Sequence, residues 1–317
     1  MPLDSFGGRE KNYASVSTME SLIKSISYLV KLAEEEKKSF FEVAIEQNIE
    51  VTSQSREEIL QFFSKIWSSM KESLSRALSP EFRSSALLVK GAGKKYLKSE
   101  KSFLSQIVKK AVGYAMAVGE ANASMCRIVA FPTGGASGAI PGTLIAYQEE
   151  TGRKDEDMIE GLVVAASVGA IIGNRATLSG AEGGCQAECG AAAAMAAAAL
   201  VHLENGSPKM IDHAVAIALK NIMGLICDPV AGLVEVPCIK RNAMAASLAY
   251  LSADLALAGV ESVIPADEVI DAMGRVGRRL PMEFRETALG GVAATPTAKK
   301  ISEKLQKERE KFLKDSH

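Results

Sequence analysis

Apolar residues recur along this chain at helical spacing, and helix-start signals punctuate them. Ser17, Ser39 and Ser55 each stand three residues before a glutamate (Glu20, Glu42 and Glu58) and just ahead of an apolar run. This is the capping-box pattern, in which the hydroxyl and the carboxylate each satisfy a backbone N–H that the first helical turn leaves free. Behind the third box, Ile59, Phe62, Phe63, Ile66 and Met70 fall on one helical face. Ser79-Pro80 closes that segment, because the residue before a proline disfavours helical backbone. The same reasoning predicts helices over 101–122, from Asp155 to Gly173, from Ala187 to Leu203, and from Pro208 to about Leu225. Further helices follow Cys238, begin at Pro265, and run from Thr297 to Leu313 as a charged tail. Asn205-Gly206 reads as a stop and Ser207-Pro208 as the next start. No run alternates with period two as a half-buried strand would. The expected fold class is all-α: a helical lead-in over residues 1–85 packed on a larger helical part, 86–317, in one continuous domain.

One stretch resists this periodicity. Phe131-Pro-Thr-Gly-Gly-Ala-Ser-Gly-Ala-Ile-Pro-Gly142 holds four glycines and two prolines in twelve residues, which predicts a loop with no regular element. Apolar helical sequence flanks it on both sides, so the loop is expected to be buried.

Composition narrows the classes. At 317 residues the chain can bury a sizeable core, and 47% apolar with 24% charged residues is ordinary for a globular protein. Aromatics are only 5% while Ala and Gly abound, which favours closely approaching helices over a β-sandwich. A net charge of −1 leaves no basic footprint for nucleic acid. The start lacks a signal-peptide h-region, and the apolar stretch Gly161–Gly173 is too short for a bilayer. The Ala run after Cys189 reads as too weakly hydrophobic to span one. Five cysteines at irregular spacing do not form a secreted framework. The expectation is a reducing, cytoplasmic compartment without membrane attachment.

Three cysteines carry candidate chemistry. Cys185 lies in Gly183-Gly-Cys-Gln, Cys227 in Ile226-Cys-Asp-Pro and Cys238 in Val236-Pro-Cys-Ile. Each is read as sitting at a helix edge beside Gly or Pro, where free N–H groups lower a thiol's pKa and bond to sulfur. Packing of buried free thiols answers to the same residues. Zinc would want a fourth ligand, and no CxxC or HxxxH pair supplies one. A [4Fe–4S] cluster on three thiolates fits the count and leaves one iron open for a small-molecule substrate. Cys189 and Cys126 are read as packing residues.

Three longer segments bear a resemblance: Gly183-Gly-Cys-Gln-Ala-Glu188, the run from Cys227 through Cys238 to Ala243, and Arg285-Glu-Thr-Ala-Leu-Gly-Gly-Val-Ala-Ala-Thr-Pro296. They resemble the alpha subunit of the iron–sulfur-dependent L-serine dehydratases, over about residues 20–300. The resemblance implies an all-helical catalytic fold, with Cys185, Cys227 and Cys238 as cluster ligands. It also implies elimination of water from L-serine to give pyruvate and ammonia, a step in amino-acid degradation. A beta portion goes with it; because this chain opens directly on the helical lead-in, that portion is expected as a separate polypeptide. Two departures stand out. Cys189 takes a position commonly Val in the family, and the tail ends Lys314-Asp-Ser-His317 without the terminal cysteine of some relatives.

The elimination needs a base for the Cα proton and a Lewis acid for the leaving hydroxide. His202, His213 and His317 read as packing or surface residues, so the base is expected from a Ser/His-bearing loop of the beta subunit. Thr133, Ser137 and the loop N–H groups are candidates to hold the substrate carboxylate, since glycine lets backbone donors approach an anion. Lys240 and Arg241 would offset cluster charge or bind carboxylate, and Arg285 would line the site. Three rivals remain at this level: an L-cysteine desulfidase on the same cluster, a pyridoxal-phosphate lyase, for which no Schiff-base lysine context appears, and a redox protein with Cys189 as fourth ligand.

Overall fold

The computed structural model describes residues 25–315. The Ser17–Glu20 box and His317 lie outside the described residues. Three helices open the chain: α1 (Ile26–Glu36), α2 (Phe40–Thr52) and α3 (Arg56–Leu78). Their caps are Ser25, Ser39 and Ser55, whose hydroxyls accept from the N–H groups of Tyr28, Glu42 and Glu58. Only the Ser55 box closes in both directions. Glu42 instead receives Arg56 at 2.8 and 3.0 Å, which ties the start of α2 to the start of α3. The buried stripe of α3 is Ile59, Phe63, Trp67, Met70 and Leu74. Phe62, expected on that face, is exposed, because one residue of rotation (about 100°) carries it off a stripe of period 3.6. Trp67 donates Nε1–H to Asp155 at 2.9 Å, and its ring shares one apolar core with the rest of the molecule.

The remainder runs α4 (Ala92–Leu97), α5 (Gln106–Ala123), α6 (Ala139–Thr151), α7 (Asp155–Arg175) and the single turn α8 (Gly180–Gly183). A π-turn (Gln186–Gly190) leads into α9 (Ala191–Leu203), followed by α10 (Pro208–Asn221), α11 (Cys238–Leu257), α12 (Ala266–Arg279) and α13 (Pro296–Asp315). Among the described residues there is no strand, only an isolated bridge between Cys227 and Arg285, so the chain is all-α.

Two boundaries differ from expectation. The Gly-rich segment turns helical at Ala139 and carries Pro141 and Gly142 into α6. A proline in the first turn forfeits no helical bond, since those N–H groups have no intrahelical partner. Helix α10 stops at Asn221 rather than near Leu225. Gly224 then takes a positive φ of 87°, and its N–H is drawn to the Gln186 side chain at 2.9 Å.

Helix α9 is the axis of the fold, packing on α6, α7, α10 and α11. Its alanines are wholly inaccessible. The window Gln186–Leu203 is, contrary to expectation, long and apolar enough to cross a membrane by length and composition, yet 89% of it is buried inside the fold. It is a core helix whose small side chains let neighbours close in on every side.

Glycines extend that economy to α4, α5 and α6. A Cβ on Gly142 would lie 2.6 Å from the Ala115 nitrogen, and one on Gly93 would lie 2.7 Å from the Ala117 nitrogen. Both obstacles are backbone and cannot swing aside, so these helices touch main chain to main chain at packing density near that of a crystal. Gly142→Ala is therefore expected to lower stability by about 1–3 kcal/mol. Urea unfolding followed by circular dichroism measures it; an unchanged midpoint would show that the helices can part without cost.

Candidate active site

Polar side chains from α5 and α11 hold the Gly-rich loop in place. Asn242, buried one turn into α11, accepts the Gly138 N–H at 2.8 Å and donates to the carbonyls of Gly135 (2.7 Å) and Cys238 (3.0 Å). Asn122, near the end of α5, donates to the Gly134 carbonyl at 2.9 Å. A single amide thus couples the loop to the turn that carries Cys238.

The cysteines reach this region by three routes. Cys185 precedes the π-turn, and Cys238 is the first residue of α11 after Pro237. Cys227 is not at a helix edge, because α10 ends six residues earlier. It lies in an extended segment whose N–H donates to the Phe284 carbonyl and whose carbonyl accepts from the Glu286 N–H, both at 2.8 Å. Gln186 clasps the first two routes together: its main-chain N–H donates to the Leu225 carbonyl at 3.0 Å while its side chain takes Gly224. Cys185 and Cys227 are buried and Cys238 partly so.

Arg241, one turn into α11, is the cation of this neighbourhood. It pairs with buried Asp228 at 2.8 Å, donates to the Ile226 carbonyl at 2.8 Å, and reaches the Cys185 sulfur. Asp228 in turn accepts the Val292 N–H at 2.7 Å, which draws in the turn after Gly290. The contact with Cys189, whose sulfur lies 3.4 Å from that of Cys185, holds the Cys185 thiol below its ordinary range against the effect of burial, with Arg241 adding to it. The same contact, then burial, pushes Cys189 up. Burial, reinforced by Cys185 and Glu188, raises Cys227, and likewise raises Cys238 to about 12. Cys227 and Cys238 are thus thiols in wait of positive charge, and a metal centre supplies such charge. Among the described residues, no three His, Cys, Asp or Glu side chains close on a single point as a mononuclear site requires.

Glu188 faces the same space. Thr133 donates to its Oε1 at 3.0 Å. A Cβ on Gly135 would lie 3.1 Å from Oε1, and one on Gly180 would lie 2.6 Å from Oε2 and 3.2 Å from the Cys227 sulfur. Burial pushes this carboxyl up to about 6, with Thr133 opposing and the negative Glu286 adding to the rise.

The other expected residues are scattered. Ser137 is fully buried, and its hydroxyl has no hydrogen-bond partner among the described residues. Lys240 is exposed on the first turn of α11. Arg285 lies beside Cys227 through its main chain, but its guanidinium donates to the Arg278 carbonyl at 2.6 Å. His202 faces Glu160 at 3.3 Å, and His213 accepts the Ser262 N–H at 3.3 Å. Cys126 directs its sulfur at the Ser124 carbonyl, 3.9 Å away. Sequence reasoning did not single out Glu188 and Asn242, which the structure brings to this region. The available signals were a glutamate three residues after Cys185 and an asparagine four after Cys238, one helical turn on.

A family profile described as serine dehydratase alpha chain matches residues 35–293. The "Probable L-serine dehydratase, alpha chain" of Bacillus subtilis (strain 168) is 44% identical over 286 residues, covering 90% of this chain and 95% of that one. The "L-serine dehydratase, alpha chain" of Peptoniphilus asaccharolyticus is 39% identical over 290 residues, covering 90% of this chain and 99% of its own. "L-serine dehydratase 1" of Escherichia coli (strain K12) is 35% identical over 256 residues, and the match covers 56% of that longer protein. The chain belongs to the serine dehydratase alpha chain family.

Proposed function

We propose that this chain is the cluster-bearing alpha subunit of a cytoplasmic L-serine dehydratase, converting L-serine to pyruvate and ammonia together with a separate beta subunit. The single observation that carries this reading is the gathering of Cys185, Cys227 and Cys238 around Glu188, with Arg241 near Cys185 and Cys238, within a chain whose relatives are named for that activity. The donor set fits a [4Fe–4S] cluster. It offers three thiols, of which that of Cys185 is held below its ordinary range while those of Cys227 and Cys238 are raised. A four-iron cube takes one thiolate per iron, so its ligands belong around its corners rather than on one point. When bound, the cluster supplies a Lewis-acid iron for the substrate hydroxyl.

The chain's own residues do the rest of the positioning. Arg241 steadies the thiolate of Cys185 and is fixed by Asp228. Asn242 and Asn122 hold the Gly-rich loop against that centre. The described histidines are engaged by Glu160 and Ser262, so the proton acceptor for Cα is assigned to the beta subunit.

Two outcomes follow. Replacing Cys185, Cys227 or Cys238 singly by Ala is expected to abolish both iron retention and serine-dependent pyruvate formation, whereas Cys189→Val keeps its iron. Iron assay and visible absorbance after anaerobic reconstitution read this directly, and a Cys227→Ala protein with full iron would refute the ligand set. The reconstituted alpha chain by itself is expected to form pyruvate at least about 100-fold more slowly than with its beta subunit, the loss expected on removing a general base. Full turnover by the alpha chain alone would refute the division of labour.

A further inference from the structure

Glu188 is a half-buried carboxyl with no cation beside it among the described residues. Its hydrogen-bond partner among the described residues is the Thr133 hydroxyl, and its charged neighbours are acidic: Glu286 and the thiols of Cys185, Cys227 and Cys238. Arg241 is committed to Asp228, to the Ile226 carbonyl and to Cys185. A half-buried carboxylate among acidic neighbours is a ready receiver for a cation from outside.

The Gly-rich loop beside it offers the opposite chemistry. Its later N–H groups are spent within the fold: Ala136 donates to Thr133 Oγ1, Ser137 to the Gly134 carbonyl, and Gly138 to Asn242. Those of Gly134 and Gly135 make no hydrogen bond among the described residues, while a Cβ on Gly135 would lie 3.1 Å from the Glu188 carboxylate. Free backbone donors and an unpaired carboxylate therefore stand side by side. That juxtaposition complements a zwitterion, in which ammonium and carboxylate share one carbon.

We propose that Glu188 receives the α-ammonium of the substrate amino acid and that the Gly134 and Gly135 N–H groups receive its α-carboxylate. The assignment rests on the serine dehydratase reading and makes this chain the part that selects amino acids over hydroxy acids. Thr133 becomes the residue that aims Glu188 rather than a carboxylate ligand.

The test uses the reconstituted alpha–beta complex, L-serine as substrate, and 3-hydroxypropanoate, which keeps carboxylate and hydroxyl but lacks the ammonium, as competitive inhibitor. Glu188→Gln is expected to raise KM for L-serine by about 10–100-fold, the weight of a charge-assisted hydrogen bond. The inhibition constant of 3-hydroxypropanoate should stay the same or fall, with iron content as in the wild type. Thr133→Val, which keeps the carboxylate, shifts the same ratio in the same direction by less and carries the test if Glu188→Gln does not fold. A KM and an inhibition constant that move together would overturn the assignment. So would a collapse of kcat at unchanged KM, which would make Glu188 the proton acceptor instead. If the wild-type complex turns over no L-serine, the dehydratase reading itself fails and the assignment falls with it.

Discussion

A guanidinium set among thiols and carboxylates governs this molecule. Arg241 must lie within reach of Cys185, Asp228 and the Ile226 carbonyl at once, and those groups come from two separate stretches of chain. Burying so many acidic groups together is tolerable only where cations and dense hydrogen bonding compensate them. The surrounding architecture supplies that density. Gln186 joins the π-turn to the segment before Cys227, Asn242 joins α11 to the Gly-rich loop, and Asp228 joins Cys227 to the turn at Val292. None of these contacts is a hydrophobic one, yet they fix where the apolar helices end.

The helices are correspondingly plain. Alanine along α9 and glycine in α4, α5 and α6 remove side-chain bulk, so that elements approach to backbone distance and the polar ends are held to narrow tolerances. A centre built on short helix ends and turns has little slack of its own. Rigid neighbours take the place of intrinsic stiffness, as a preorganised catalytic site requires.

How legible this was from sequence depends on range. Ser55-x-x-Glu58 announced its helix because capping chemistry is local, and Ser207-Pro208 did the same for α10. The start of α6 was missed because Pro141 and Gly142 are breakers in mid-helix but harmless in a first turn, and sequence alone does not tell which applies. Phe62 was misplaced by one step of rotation. The end of α10 was misjudged because a side chain 38 positions away, that of Gln186, captures Gly224. In the site, the thiol pattern and the loop stood out by composition, and Arg241 by its place after Cys238. Glu188 and Asn242 did not, since what distinguishes them is a missing cation and a set of carbonyls contributed by distant chain. Long-range pairing of that kind leaves no periodic trace.

The central claim is that three thiolates of this chain hold an iron cluster with one iron left open to the substrate. Mössbauer spectroscopy of the anaerobic, ⁵⁷Fe-reconstituted protein, with and without L-serine, tests it most directly. The account predicts a single iron subsite whose parameters shift on adding L-serine while the other three stay put. Four subsites of uniform sulfur ligation, indifferent to L-serine, would contradict it.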